Sequence, residues 1–153
     1  MKNAIALLVI LFGGITLHAQ KISPDKVPAA VRASFAQKFP AAKMEKCEKE
    51  GDNYEIEFTA NKAETSAVFD ASGKWLETEV EMPVAELPKA VMMASSAKAP
   101  GKKIKEASKI TSAGGAVTYE VEINDIDYIY DSNGNLISQE AEDGPEDGEN
   151  GED

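Results

Sequence analysis

The stretch Tyr54-Glu55-Ile56-Glu57-Phe58 alternates apolar and acidic residues. A period of two is typical of a β-strand that buries one face and leaves the other polar. The same pattern returns later in the chain as Tyr119-Glu120-Val121-Glu122-Ile123. The sequence therefore contains this strand twice, and the regions around both strands can be compared.

Further blocks repeat in the same order on both sides of this strand. Val27-Pro28-Ala29-Ala30-Val31 is matched by Leu87-Pro88-Lys89-Ala90-Val91, and the segment from Phe69 to Leu76 is matched by the segment from Tyr130 to Ile137. Several matched blocks in one order indicate an internal duplication. The protein is therefore predicted to consist of two copies of one structural unit.

Each copy is predicted to form one helix followed by four strands. In the first copy Pro28 is suited to the first helical position, and apolar residues recur every fourth position from Val27 to Phe39. In the second copy Ser95 and Ala99 replace the aromatic residues of this stripe, which predicts a less stable helix.

Hairpin turns are predicted at Asp70-Ala71-Ser72-Gly73 and at Asp131-Ser132-Asn133-Gly134, because Asp, Ser, Asn and Gly favour tight turns. Two units of this kind most simply form one continuous antiparallel sheet with both helices on the same face. The predicted fold class is therefore α+β, with the second face of the sheet open to water or to a partner.

The chain divides into four predicted segments. Residues 1–19 resemble a secretory signal peptide, with Lys2 before a short apolar run and a small-residue cleavage site at Leu17-His18-Ala19. The two repeats span residues 22–82 and 83–140, and residues 141–153 are predicted to be a disordered acidic tail. This organisation predicts a periplasmic or secreted protein with no membrane span after cleavage of the signal peptide.

Charge and cysteine content restrict the class of partner. The net charge is −11, and residues 140–153 contribute eight acidic residues and no basic ones. Nucleic acid is not an expected partner, because phosphate binding requires a basic surface. Cys47 is the only cysteine, so an internal disulfide is impossible and a buried structural thiol is expected.

No catalytic or cofactor-binding pattern is present. The only histidine, His18, lies in the predicted signal peptide, and Gly114-Gly115 lacks the spacing of a phosphate-binding loop. Acidic pairs such as Glu55 with Glu57 are typical of a solvated strand face. The segment from Asp131 to Glu142 offers a weak calcium-loop pattern, which turn chemistry explains equally well. We therefore expect a protein that is not an enzyme and that needs no cofactor.

The predicted register of the hairpins places an aromatic cluster with an acidic rim on the open face of the sheet. Its members, predicted to bind a partner, are Phe69, Trp75, Glu77, Tyr128, Tyr130 and Leu136. Aromatic side chains in a polar rim are common at protein interfaces. The alternative interpretation is that these aromatic residues form cross-strand pairs that only stabilise the sheet.

The blocks also resemble those of a known family. The segments from Ile22 to Pro28, Lys38 to Pro40, Lys49 to Glu55 and Phe69 to Lys74 resemble the PepSY-like, beta-lactamase-inhibitor-like family of secreted bacterial proteins. The resemblance implies tandem helix-plus-four-strand units in a curved sheet, an envelope location and no catalytic residues.

Three hypotheses for the function remain open. The first is an exported, non-catalytic module that binds or inhibits an unidentified protein or peptide of the cell envelope through the open sheet face. The second is an envelope protein that binds a small ligand or a cation such as calcium. The third is a structural role without a specific ligand. The sequence predicts no oligomeric state.

Overall fold

The computed structural model describes residues 19–141. The predicted signal peptide up to residue 18 and the predicted tail from residue 142 lie outside the described residues, so both stay predictions. The limits predicted for the two repeats also stay predictions, because strand pairing runs without interruption from one repeat into the other.

The described residues form two ten-residue helices and nine strands. The helices are α1 (Ala29–Lys38) and α2 (Lys89–Lys98), and each follows a short 3-10 helix, Pro24–Lys26 or Val84–Glu86. The strands are β1 (Gln20–Ile22), β2 (Lys46–Glu50), β3 (Asn53–Ala60), β4 (Ala63–Asp70), β5 (Trp75–Glu81), β6 (Glu106–Ser112), β7 (Val117–Glu122), β8 (Ile126–Asp131) and β9 (Leu136–Ala141).

The strands form one antiparallel sheet in which each strand pairs with the next one along the chain, in the order β1 to β9. The predicted α+β class, with two helix-plus-four-strand units and one sheet, is confirmed. The structure adds β1, which pairs with β2 at the edge of the sheet and was not predicted.

Both helices pack on the same face of the sheet. Ile56 pairs with Ala67 and Ala67 with Thr78, and these residues face α1. Thr78 pairs with Thr111, and alternation along β6 then brings Ala107 to the same face, where it packs in the core beneath α2. The predicted arrangement of both helices on one face is therefore confirmed.

The core beneath α1 is aromatic. The ring centroid of Phe35 lies 5.5 Å from that of Phe39, 5.0 Å from that of Phe58 and 6.5 Å from that of Phe69. Cys47 is buried next to this cluster, as predicted, and burial raises the pKa of its thiol to about 11. Edge-to-face contacts between rings add to the stabilisation that burial itself provides.

The side chains that α2 contributes to its core are smaller than those that α1 contributes. Ser95 takes the position of Phe35, is fully buried, and donates a hydrogen bond of 2.9 Å to the carbonyl of Val91. Tyr128 and Tyr130 of β8 fill the space below it, with ring centroids 6.5 Å apart. The sheet therefore supplies the aromatic groups that the helix lacks.

The hairpins after β4 and β8 attach the sheet to the helices. Gly73 has φ of +85° and Gly134 has φ of +82°. A Cβ atom added at Gly73 would lie 2.6 Å from the carbonyl oxygen of Ala30, and one at Gly134 would lie 2.6 Å from that of Ala90. Only glycine combines this backbone conformation with so close an approach to the first helical turn.

Candidate functional site

The predicted placement of the aromatic cluster on the open face is wrong in the first repeat. Phe69 is fully buried beneath α1, in contact with Phe35. Trp75 packs at the margin of the same core, where the Nζ atom of Lys38 lies 3.4 Å from its ring centroid. The indole N–H donates to the carbonyl oxygen of Glu77 and to the hydroxyl of Thr78. These rings hold the helix on the sheet.

The same correction applies to the second repeat. Tyr128 and Tyr130 are buried in the core beneath α2. Leu136 pairs with Tyr130 and therefore shares the helix side, where it is exposed at the edge of the sheet. Of the six residues predicted to bind a partner, Glu77 is the one that lies on the face opposite the helices, since it pairs with Val68.

The cause of the error is a bulge that follows the turn. Phe69 pairs with Trp75 as predicted, but Val68 pairs with Glu77 and leaves Leu76 without an opposite residue. One extra residue in a strand reverses the faces of the residues beyond it. A second bulge lies between Ile129 and Tyr130 of β8. With both bulges included, Phe69 shares a face with Ile56, and Val68 and Ile129 lie opposite the helices.

The face opposite the helices carries a dense set of carboxylates, which we call the acidic face. By strand register it includes Glu48, Glu50, Glu55, Glu57, Glu64, Glu77, Glu79, Glu81, Glu106, Glu120, Glu122, Asp127 and Glu140. Val68, Ile110 and Ile129 lie between them. The face was expected to be solvated, yet only 3 % of Glu55, 5 % of Glu79 and 8 % of Glu120 is exposed.

Curvature of the sheet brings these carboxylates close together. The charge of Glu140 on β9 raises the pKa of Glu50 on β2, and the charge of Glu55 on β3 raises the pKa of Glu120 on β7. In a flat sheet with strands about 4.8 Å apart, β3 and β7 would be separated by about 19 Å and β2 and β9 by about 34 Å. At such distances solvent and salt screen charges strongly. The sheet therefore curls around the acidic face, which is concave.

Three carboxylates converge at one end of this face. Glu48 and Glu55 are directly opposite each other on β2 and β3, and Glu50 lies two residues beyond Glu48. One carboxylate oxygen from each lies within 4.8 Å of the others. Burial, followed by the charge of Glu50, raises the pKa of Glu55 to about 8, and Oε2 of Glu55 has no hydrogen-bond partner.

A second group of carboxylates lies at the centre of the face, where the two repeats meet. Glu79 of β5 and Glu120 of β7 share a hydrogen bond, and Glu79 also accepts one from Ser108. Burial and the charges of Glu79 and Asp127 raise the pKa of Glu120, so the pair retains a proton above the ordinary carboxylate pKa range. Oε1 of Glu79 and Oε2 of Glu120 are buried without a partner.

Two lysines balance part of this negative charge. The Nζ atom of Lys46 lies 2.6 Å from Glu57 and 3.2 Å from Glu48, and the Nζ atom of Lys105 contacts Glu122. Neither lysine reaches the central pair in the ion pairs that the described residues form. The middle of the acidic face therefore contains more carboxylates than internal cations.

The predicted calcium-loop pattern has a structural explanation in its first residues. One carboxylate oxygen of Asp131 accepts hydrogen bonds from the backbone N–H groups of Asn133 and Asn135. Its second oxygen accepts one from the side-chain amide of Asn135. Asp70 makes equivalent contacts in the first repeat, with Ser72 and Lys74. Hydrogen bonds within the turns therefore use these carboxylates, as the turn interpretation requires.

The sequence pattern indicated that Glu55 and Glu57 share one solvated face of a strand. It did not predict that this face is a candidate binding site. The available signal was the recurrence of Tyr-Glu-x-Glu in both repeats, which places Glu55 and Glu120 at equivalent positions beside alternating apolar residues. Because those apolar residues pack against the helices, the glutamates between them lie on the opposite face of the sheet. The curl that buries them involves strands far apart in sequence and has no local signal.

Comparison with known proteins agrees with this architecture. The family described as "Putative beta-lactamase-inhibitor-like, PepSY-like" matches twice, over residues 14–64 and 52–138. The chain belongs to this family. The resemblance inferred from the sequence is thereby confirmed, and the family is named for likeness to an inhibitor and not for a catalytic activity. No curated protein matches the chain.

Solved structures share the fold at low sequence identity. A protein of Bacteroides eggerthii, named a "putative periplasmic protein", is 15 % identical with a TM-score of 0.67, covering 75 % of this chain and 88 % of that chain. A DUF2874 family protein of Bacteroides uniformis is 20 % identical, with a TM-score of 0.66 and coverages of 74 % and 88 %. A BLIP-like protein of Bacteroides fragilis is 22 % identical, with a TM-score of 0.61 and coverages of 74 % and 86 %.

These similarities establish the fold, and the first of these proteins carries a periplasmic description in its name. Among residues 19–141, neither helix is long and apolar enough to cross a membrane.

Proposed function

We propose that this chain is a non-catalytic, exported binding module whose acidic face binds a cationic segment of a protein or peptide partner in the cell envelope. The observation that carries the proposal is the set of buried carboxylate oxygens without hydrogen-bond partners on Glu55, Glu79 and Glu120. These atoms lie on the concave side of a sheet whose other side is covered by helices.

Burying a carboxylate without a partner is costly, because the group loses its hydration and gains no compensating contact. The central pair reduces this cost by sharing a proton. A lysine or arginine side chain that entered the concave face would replace the proton by a charge-assisted hydrogen bond. The face therefore favours basic segments and disfavours acidic ones.

The shape of the face supports an extended or protruding partner segment. The aliphatic side chains of Val68, Ile110 and Ile129 are buried between the carboxylates, so the floor of the face is partly apolar. A basic residue flanked by apolar ones would contact both kinds of surface. This combination resembles the apolar centre and polar surroundings of protein interfaces.

The test compares binding of two fluorescent peptides of equal length, one with alternating lysine and leucine and one with alternating glutamate and leucine. The protein is the chain from Gln20 to Asp153, and binding is measured by fluorescence anisotropy. We expect the basic peptide to bind and the acidic peptide not to bind. The double variant Glu79→Gln/Glu120→Gln is expected to weaken binding at least about tenfold, since it removes the central charge of the face.

The matched control removes two negative charges from the helix side. Asp25 and Glu86 are exposed residues of the two short 3-10 helices. Asp25→Asn/Glu86→Gln should leave binding unchanged within about twofold. Equal weakening by both double variants would show that net charge alone attracts the peptide, and the proposal would then be wrong.

A further inference from the structure

Three exposed lysines, which we call the lysine cluster, lie at the C-terminal end of α2. Lys98 is the last residue of the helix, and Lys102 and Lys103 follow in the loop that leads to β6. They make no ion pair with any residue from 19 to 141. From Leu87 to Lys105 the chain contains five lysines and no acidic residue. This end of the second repeat is therefore positively charged.

The first repeat lacks such a cluster. Lys38, at the end of α1, is held over the ring of Trp75, with 3.4 Å between its Nζ atom and the ring centroid. Ala42 takes the place of Lys102 and packs against the core beneath α1. Lys43 remains as an exposed counterpart of the third lysine. The concentration of exposed positive charge is therefore a property of the second repeat.

The last strand of the sheet ends on the same side as the lysine cluster. Ala141 of β9 pairs with Ile126, the first residue of β8. Ile126 packs against the core beneath α2, and so does Ile104, which directly follows Lys103. The chain therefore leaves the sheet at the end where the loop with the lysine cluster lies.

The twelve residues beyond β9 lie outside the described residues, and their sequence has the opposite charge. Residues 142–153 contain seven acidic residues and no basic one. Twelve residues span at most about 40 Å when fully extended. The loop with the lysine cluster precedes β6, which is three strand spacings, or about 14 Å, from β9. The acidic segment is therefore long enough to reach the cluster.

We propose that residues 142–153 bind to Lys98, Lys102 and Lys103 of the same chain and cover this end of the second repeat. Exposed ion pairs are weak one at a time. A covalently attached segment nevertheless has a high effective concentration at a cluster close to its own point of attachment. The bound segment would exclude other acidic chains from the cluster. This contact is independent of the proposed binding of a basic partner, which uses the other face of the sheet.

The experiment places a nitroxide spin label on the acidic segment. Asn150→Cys in the chain from Gln20 to Asp153 provides the attachment site, and Cys47 does not compete for the label because it is buried. NMR then compares amide signal intensities before and after reduction of the nitroxide. We expect the amides of the lysine cluster to lose at least about twofold more intensity than the amide of Lys43.

Neutralisation of the acidic segment tests whether charge causes the proximity. Glu146→Gln/Asp147→Asn/Glu149→Gln removes three negative charges without shortening the segment. This triple variant should reduce the signal loss at Lys98 at least about twofold, and about 0.5 M NaCl should act in the same way on the unsubstituted segment, because salt screens exposed charges.

Neutralisation of the lysine cluster is compared with a matched loss of charge elsewhere. Lys102→Gln/Lys103→Gln should reduce the signal loss at Lys98 at least about twofold, since it removes two of the three cations that attract the segment. Lys26→Gln/Lys43→Gln removes two exposed lysines of the first repeat and should leave that loss unchanged. The dispersion of the amide signals shows that each variant is folded.

Three results would overturn the proposal. The first is a signal loss at the lysine cluster no greater than at Lys43. The second is a loss that persists after neutralisation of the acidic segment. The third comes from a mixture of spin-labelled chains with isotope-labelled chains that carry no spin label. Signal loss at the cluster in that mixture, as large as within one chain, would show that the segment binds a second copy instead of its own chain.

Discussion

The two repeats have the same backbone fold but differ in two respects, the packing of the helix core and the carboxylates on the acidic face. In the first repeat the helix contributes Phe35 to the core, whereas in the second the equivalent Ser95 bonds to its own helix and Tyr130 of the sheet fills the space. On the acidic face, the first repeat assembles Glu48, Glu50 and Glu55, whereas the second retains only Glu120 of the equivalent positions.

The two repeats therefore contribute different groups to the same sheet. The first repeat has the more aromatic helix core and the greater local excess of negative charge. The second repeat replaces two carboxylates by Ser108 and Ile110, and its remaining Glu120 shares a proton with Glu79 of the first repeat. The central pair is therefore a joint feature of both repeats.

The largest expected effect concerns the helix cores. Phe35→Ala should lower the free energy of unfolding by about 3–5 kcal/mol, because it removes a fully buried ring with three aromatic neighbours. Ser95→Ala, at the equivalent position, should cost only about 0.5–1.5 kcal/mol, the usual value of one hydrogen bond. Urea denaturation measures both, and similar losses would contradict the comparison.

The next effect concerns the protonation of the central pair. The pKa values of Glu79 and Glu120 are raised by burial, so above the ordinary carboxylate pKa of about 4.3 the folded state binds more protons than the unfolded state. The free energy of unfolding should therefore fall as pH rises from about 5 to about 8. Each unit of upward shift contributes about 1.4 kcal/mol to this loss.

Matched variants test the origin of this pH dependence. Glu120→Gln removes one proton-binding group of the central pair and should make the stability curve flatter, whereas Glu86→Gln on the exposed helix side should not change its slope. Asp70 and Asp131 have lowered pKa values and titrate below this range, so they do not contribute. Stability that increased with pH over the same interval would refute the assignment.

The smallest effect concerns local opening of the helices. The amide N–H of Phe39 donates to the carbonyl of Phe35 at the end of α1, and that of Ala99 donates to Ser95 at the end of α2. We expect the Ala99 amide to exchange with solvent at least about tenfold faster, since α2 buries less apolar surface. Hydrogen exchange followed by NMR compares the two amides within one sample, and equal protection would show that the tyrosines of β8 fully compensate.

The local sequence pattern was sufficient to predict the helices and strands. It was insufficient to predict which face of the sheet each residue occupies. The alternation from Tyr54 to Phe58 and the stripe from Val27 to Phe39 predicted a strand and a helix at positions where the structure has them. The register of β4 against β5 was wrong because one unpaired residue, Leu76, reverses the two sides of a strand. The hairpin between β3 and β4 pairs Tyr54 with Phe69 and thereby places Phe69 on the helix side of the sheet.

The sequence by itself determined the duplication, the α+β class, the turn chemistry at Asp70 and Asp131 and the excess of negative charge, because each depends on residues close together in the chain. Only the tertiary structure decided which side of the sheet the aromatic residues occupy and how the carboxylates are grouped. Those outcomes depend on bulges and on the curl of nine strands, which bring Glu55 near Glu120 and Glu50 near Glu140. The central pair depends on this curvature, because β5 and β7 are not neighbours and would lie about 10 Å apart in a flat sheet.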